Sequence, residues 1–203
     1  LFVAAVTLPP AALADKAADQ ALHDAVASAR RSPANVARDR YRHPEPTLRF
    51  FGVEPAMTLV EIWPSAGYYA EIIAPMLRDR GHYVAAVQAN PKYRDATLKL
   101  FASDPSRFDR VTTVTFDPKQ PADLAPPGTA DAVLTIRNVH NLVMNGGDEA
   151  AQAFALYYRA LKPGGILGVE DHRLAEDRDA ALEKTSGYLK RSTVIRLAEA
   201  AGF

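Results

Sequence analysis

The sequence predicts an α/β fold: an open, mostly parallel β-sheet with helices packed on both faces. Two observations carry that expectation. Short β-branched or apolar runs alternate along the chain with amphipathic stretches at helical spacing, as repeated strand–helix–strand units require. The chain has 203 residues, 48% of them hydrophobic and 24% charged, with no internal repeat and no linker-like segment. One domain with its own core is therefore expected.

The elements follow in order. Ala18, Leu22, Val26 and Ala29 recur at helical spacing, and Pro33 stops that helix. A basic, proline-containing stretch runs from Arg38 to Arg49, so residues 15–50 form a helical N-terminal extension. Thr58 to Trp63 reads as a strand closed by Pro64, and Ala70 to Asp79 as a helix with Pro75 in its first turns. Gly81 marks the turn into a second strand, His82 to Val87. Tyr93 to Ala102 is helical, Val111 to Phe116 is a strand, and Asp117 to Gly128 is a proline-rich loop. Ala130 to Ile136 is a strongly apolar strand. Glu149 to Leu161 is a helix ended by Lys162-Pro163-Gly164-Gly165, and Ile166 to Val169 is a strand. Thr193 to Ala201 closes the chain as a helix, with Gly202 as its cap.

Residues 1–14 stand apart. Leu1 to Ala14 carry no charge and end in Ala-Leu-Ala before Asp15, the pattern of the apolar region and small-residue cleavage site of a secretory signal. The run is too short to span a bilayer. Residues 1–14 are read as the remnant of a signal, which predicts a periplasmic or secreted protein. The alternative is a buried N-terminal strand or helix in a cytoplasmic protein.

Charge and composition exclude several classes. Lys plus Arg and Asp plus Glu are both 24, so bulk charge gives no support for binding nucleic acid. The absence of cysteine excludes disulfides, thiolate metal sites and a cysteine nucleophile. There is no Gly-x-Ser-x-Gly elbow and no phosphate-binding P-loop. The expected partner is a small molecule.

An open parallel sheet binds ligands outside the carboxyl ends of its strands. The informative residues are therefore Trp63 to Tyr69, then Gln88 to Asn90, Asp117, Arg137 to Asn141, and Glu170 to Arg173. Several of these segments carry a resemblance. Leu59-Val60-Glu61-Ile62-Trp63-Pro64-Ser65-Ala66-Gly67-Tyr68-Tyr69 resembles the first motif of the class I S-adenosylmethionine (SAM)-dependent methyltransferases. Its Glu-Ile-Trp-Pro is similar to that of a bacterial group of predicted methyltransferases, often exported. Arg137-Asn138-Val139-His140-Asn141-Leu142 resembles the same group's fourth-strand motif, Leu161-Lys162-Pro163-Gly164-Gly165 the superfamily's turn before strand five, and Glu170-Asp171-His172-Arg173 the end of that strand. The resemblance spans residues 38–203 and implies a Rossmann-like, doubly wound fold. Its C-terminal sixth and seventh strands have no counterpart in this sequence.

The resemblance also implies site roles. Glu61 would bind the SAM amino group, and Trp63, Ser65 and Gly67 stand where three glycines usually follow the acidic residue. Gln88 stands where a carboxylate usually binds the ribose, Asp117 lies near the adenine, and Arg137 lies beside the cofactor. Asn138 and His140 are the catalytic candidates: an acceptor for a substrate amine or hydroxyl, and a general base suited to neutral pH. Each has a plainer reading: Trp63 and Tyr68 as packing residues, Asp117 as a turn cap, Asn138 as a loop-shaping residue. Arg38, Arg40, Tyr41, Arg42 and His43 can close over the site and bind an anionic substrate group; the plainer reading, and the one preferred, is a solvated basic face. His43, His140, Glu170, Asp171 and His172 lack metal-ligand spacing, so no metal is expected. The second reading of the whole chain is a degenerate domain that keeps the fold and binds another small ligand or a protein partner. Trp63, Ser65, Gln88 and export, set against a cofactor made in the cytosol, favour that reading; the intact crevice motifs favour a SAM-dependent methyltransferase. Both need Glu61, Asn138 and Asp171 to meet at one rim of the sheet.

Overall fold

A computed structural model describes the backbone of residues 10–203 and the side chains of residues 16–203. The chain opens with α1 (Pro10–Ala27), α2 (Pro33–Val36), α3 (Asp39–Arg42) and α4 (Pro44–Phe50). The central run is β1 (Thr58–Ile62), α5 (Ala70–Leu77), β2 (His82–Gln88), α6 (Pro91–Ser103), α7 (Pro105–Phe108) and β3 (Thr112–Phe116). It continues with β4 (Ala130–Ile136), α8 (Val139–Asn145), α9 (Glu149–Ala160) and β5 (Leu161–Glu170). The short strands β6 (Arg173–Leu174) and β7 (Leu189–Lys190) flank a 3₁₀ turn and precede α10 (Arg191–Ala201). Of residues 1–14, residues 1–9 lie outside the described residues and 10–14 begin α1. No helix among the described residues is long and apolar enough to cross a membrane.

Strands β1 to β5 form one sheet in the order β3-β2-β1-β4-β5, and every pair is parallel. This is the predicted doubly wound α/β architecture. Side chains alternate between the faces of a strand, and the two cores follow that alternation. Leu59, Tyr83, Ala85 and Leu134 pack with Leu22, Leu48, Ile72, Ile73, Phe101 and Phe108 from the helices of one face. Val60, Ile62, Val84 and Val133 pack with Leu142, Phe154 and Tyr157 from α8 and α9 on the other.

The predicted strands stand within a residue or two, except at β5. There the strand begins at Leu161, paired with Ala130, and the pairing jumps to Ala132 with Ile166. The Lys162-Pro163-Gly164-Gly165 turn is thus looped out of a strand rather than preceding one. Gly164 has φ +77°, and a Cβ on Gly165 would lie 2.9 Å from the Lys162 carbonyl oxygen, so both glycines are required by the loop. Three further elements differ from expectation. The stretch after β4 is the helix α8, not a loop. The basic stretch is two short helices, α3 and α4, broken by the left-handed His43. β6 and β7 pair in parallel as a separate two-stranded sheet.

Pro75 lies near the end of α5 and not in its first turns. A proline lacks the N–H that would bond the carbonyl four residues back, which leaves the Glu71 carbonyl without its helical partner. Arg107 supplies it: Nη2 donates to the Glu71 carbonyl at 2.9 Å, and Nη1 donates to the Arg30 carbonyl at 2.6 Å. Arg107 is buried and so ties α5 to the N-terminal extension. Replacing it by leucine leaves two inward carbonyls unpaired and is expected to cost about 2 kcal/mol in denaturant unfolding. Pro75→Ala restores the helical donor to Glu71, so the cost of Arg107→Leu should be smaller in that background, as a double-mutant cycle will read.

Candidate functional site

Because β1 and β4 are adjacent and parallel, with β5 beside β4, the chain leaves all three at one rim. Glu61 lies on the β1 face that carries Leu59, so its carboxylate is directed into an apolar core layer and is 4% exposed. The phenol of Tyr83, from neighbouring β2, donates to Glu61 Oε2 at 2.5 Å. Burial pushes the Glu61 carboxyl up to about 7, against the Tyr83 hydrogen bond, which pulls it down.

The loop after β1 keeps the shape that glycines normally give it, without the glycines. Trp63 has φ +49°, Ser65 +52° and Gly67 +76°, all in the left-handed region. The loop is held at each end: Trp63 N–H donates to the Ala86 carbonyl at 2.8 Å, and the Ser65 carbonyl accepts from the Thr97 hydroxyl at 2.8 Å. A Cβ on Gly67 would meet the tip of the Leu100 side chain, 2.0 Å from Cδ2, and would sit at a left-handed φ; Gly67 lines none of the cavities described below. The Trp63 indole reaches over β2, with Nε1 donating to the Phe116 carbonyl at 3.3 Å and the ring 5.5 Å from that of Phe116. It packs on the core and also walls the crevice.

On the β2–β3 side the crevice is a cavity of about 760 Å³ that includes Trp63, Ser65, Gln88, Asp117, Arg137 and Asn138 in its lining. Gln88 lines it, and its Oε1 is buried without a hydrogen-bond partner. Asp117 Oδ1 accepts from Lys119 N–H at 3.0 Å, so Asp117 caps its turn while facing the cavity.

On the β4–β5 side the crevice continues as a cavity of about 290 Å³ bounded by Glu61, Trp63, Ser65, Tyr68, Asn138 and His140. Asn138 Nδ2 donates to the Ile62 carbonyl at 2.8 Å. That bond joins the ends of β4 and β1 and leaves Oδ1 as the remaining acceptor. His140 sits in the first turn of α8, and both its backbone N–H (3.0 Å) and its Nδ1–H (2.6 Å) donate to the Asp171 carboxylate. The His172 N–H donates to the same carboxylate at 2.8 Å. With Nδ1 holding the proton, His140 Nε2 is the free, proton-accepting nitrogen, as in base–orienter pairs generally.

Arg137, with φ +59°, continues the β4–β5 ladder through its N–H to the Glu170 carbonyl at 2.6 Å. Its guanidinium donates to His172 Nε2 through Nη2 (2.8 Å) and Nε (3.2 Å). Burial and the Arg137 charge hold His172 below its ordinary value, so it stays neutral and receptive to that donor. No cluster of three metal-ligating side chains forms among the described residues; His172 Nε2 and His140 Nδ1 are both committed to protein partners.

The N-terminal extension does cover the site. Arg38, Tyr41 and Arg42 line a third cavity, about 340 Å³, with Arg137, Glu170, Asp171 and His172. Tyr68 anchors this roof. Its hydroxyl donates to Asp39 at 2.7 Å, Asp39 is paired with the buried Arg31 at 2.7 Å, and the Arg42 guanidinium lies 4.8 Å from the Tyr68 ring centre. Burial alone would raise Asp39, but its Arg31 and Tyr68 bonds hold it below the usual carboxylate range. Arg40 instead stacks on Tyr41, and His43 forms the left-handed turn between α3 and α4. Sequence reasoning did not foresee Tyr83 as the partner of Glu61, nor Asp171 as that of His140. Spacing gives no signal for either, because each pair joins distant parts of the chain.

No protein-family model matches the chain, and no curated protein matches it in sequence. Solved structures do match in fold. A SAM-dependent methyltransferase from Aquifex aeolicus superposes with TM-score 0.66 at 19% identity, over 84% of this chain and 83% of that one. An arsenic(III) SAM methyltransferase from Chlamydomonas reinhardtii gives 0.61 at 16%, over 90% of this chain but 61% of its own. The [4+2]-cyclase SpnF gives 0.61 at 18%, over 98% and 75%. The fold is the Rossmann-like fold of the SAM-dependent methyltransferases.

The raised Glu61 carboxyl has a stability signature. Its folded-state value lies above its unfolded value, so the native state binds the extra proton, and stability falls as pH rises from the ordinary carboxyl range through about 7. Glu61→Gln keeps an acceptor for Tyr83 and removes the titration. The variant should match the parent near pH 5 and exceed it above neutrality by about 3 kcal/mol. Thermal melts across that range check it; equal gaps at both ends would contradict it.

Proposed function

We propose that the chain is a SAM-dependent methyltransferase acting on a small-molecule acceptor. The observation that carries the reading is a continuous polar crevice at the strand ends: Gln88 and Asp117 line a cavity that shares Trp63, Ser65, Arg137 and Asn138 with the chamber of His140. The side-chain amide of Gln88, turned into that cavity, would pair with a sugar hydroxyl. Gln88 and Asp117 would hold the nucleoside end of SAM, Glu61 would face its ammonium group across the rim, and Trp63, Ser65 and Arg137 would wall it. Gly67 would act indirectly, by shaping the loop. Bound SAM supplies an electrophilic methyl group.

The rest is done by the chain's own residues. His140 Nε2 accepts the proton of the acceptor's hydroxyl or amine. Asp171 fixes the ring and stabilises the imidazolium that forms. Asn138 Oδ1 offers a second acceptor that orients the same group. The roof of Arg38 and Arg42 limits access of water. Residues 1–14, uncharged and ending in Ala-Leu-Ala, support an exported protein; SAM would then have to reach it outside the cytosol.

A second reading, a binding domain without transfer, is favoured by one observation: the Trp63 indole lies over the end of β2 and is bonded to the Phe116 carbonyl. The fold also carries other chemistry, as in the [4+2]-cyclase SpnF.

Titration calorimetry with SAM and its demethylated product separates the two. Micromolar binding that Glu61→Ala abolishes and Gln88→Leu weakens about tenfold supports transfer; no heat at millimolar ligand leaves the second reading. Once an acceptor is found, Asp171→Asn should lower kcat by about 10²- to 10⁴-fold through loss of the His140 orientation. SAM affinity should be unchanged, and single-turnover kinetics will read the difference.

A further inference from the structure

Three guanidinium groups in the roofed part of the site lack a carboxylate partner. Arg38, Arg42 and Arg137 all line both the cavity of about 290 Å³ that holds His140 and the adjoining one of about 340 Å³. Among the described residues, none of the three forms an ion pair, whereas neighbouring Arg31 is paired with Asp39. Arg38 has a 3.3 Å hydrogen bond to the Asn35 side chain and lies 5.3 Å from the Tyr68 ring centre, and Arg137 donates to a neutral histidine. Mutual repulsion is visible: burial first, then the charges of Arg38 and Arg137, hold Arg42 below its ordinary value. The Glu170 charge opposes that shift without overcoming it, and half-buried arginines that outnumber their counter-charges are costly unless something anionic joins them.

Charge counting narrows that anion. The cavity of about 340 Å³ carries Arg38, Arg42 and Arg137 against Glu170 and Asp171. Glu170 is engaged by the Tyr69 hydroxyl at 3.1 Å, and Asp171 by His140 and His172. One positive charge is left over, which suits a monoanion. A phosphate near its dianionic form would overshoot it. Arginine forks match the planar, two-oxygen shape of a carboxylate.

We propose that this roof is a carboxylate-binding subsite, and that the methyl acceptor is a small carboxylic acid whose nucleophile is carried into the neighbouring chamber of His140. The assignment of the acid as acceptor rests on the methyltransferase reading; the carboxylate subsite does not.

The test uses binding alone. Trp63 is the single tryptophan and lines the His140 chamber, so its fluorescence reports occupancy, with calorimetry as a second readout. The probes are benzoate, phenylacetate and indoleacetate, each against its own methyl ester, with phenyl phosphate as the dianionic comparison, all without SAM. At least one acid should bind about tenfold or more tighter than its ester, the scale of one charge-assisted contact. Raised salt should weaken it. Arg38→Gln and Arg42→Gln should each remove most of the preference, and Arg42→Lys should restore part of it, with unchanged melting showing that the roof still folds.

Acids that bind no better than their esters would overturn the proposal, as would a preference that survives both glutamine variants. Tighter binding of phenyl phosphate would overturn the choice of a monoanion. A protein that takes acids but gives no heat with SAM keeps the subsite and loses the transferase. One that binds SAM and shows no acid preference does the reverse.

Discussion

The Asp171 carboxylate is the point on which the site turns. It follows the end of β5 and accepts N–H groups from His140, twice, and from His172. One charged group thereby fixes the start of α8, the tautomer of His140 and the path of the chain beyond β5. Removing it would leave three donors without their acceptor and the imidazole free to rotate. The position is available because β4 and β5 run side by side in the same direction. Parallel pairing thus puts a helix start and a strand end on one rim, and the carboxylate joins them.

A second constraint is backbone conformation. The non-glycine residues Trp63, Ser65 and Arg137 all take positive φ just beyond β1 or β4. Each costs about 1 kcal/mol relative to a right-handed conformation, and the cost is offset by hydrogen bonds from neighbouring strands and α6. Glycine is retained only at Gly67, where φ is +76° and a Cβ would push the tip of the Leu100 side chain aside. The usual account of glycine in such a loop is that a ligand must come close; here the close neighbour is a leucine of the protein itself.

Much of the sheet was legible in the sequence because buried parallel strands leave continuous apolar runs. Ala130–Ile136 was bounded as it stands in the structure. The rim was legible too, since alternation of strands and helices dictates that Glu61, Asn138 and Asp171 end together. The turn at Lys162–Gly165 was misplaced because a looped-out bulge and a turn before a strand use the same Pro-Gly-Gly chemistry. Helix α8 was missed because its polar first residues, Asn138 and His140, are committed to tertiary bonds that local pattern does not reveal. The pairings of Glu61 with Tyr83 and His140 with Asp171 join residues 22 and 31 positions apart. Hydrophobic periodicity is silent on such pairs.

The roof has a consequence of its own. Arg31, Asp39, Tyr68 and the arginines above them belong to the segment before β1, apart from Tyr68, while the rim that faces Gln88 belongs to the sheet. The two walls of the crevice are written in different stretches of the chain, joined below by the apolar core that Leu22 and Leu48 share with the sheet and at the site by polar anchors such as Tyr68 with Asp39. Substitutions at the cavity-facing Arg38, Tyr41 and Arg42 can therefore retune what enters beside His140 while Leu48 of the same segment keeps its place in the core, so that the guest can change while the house stays the same.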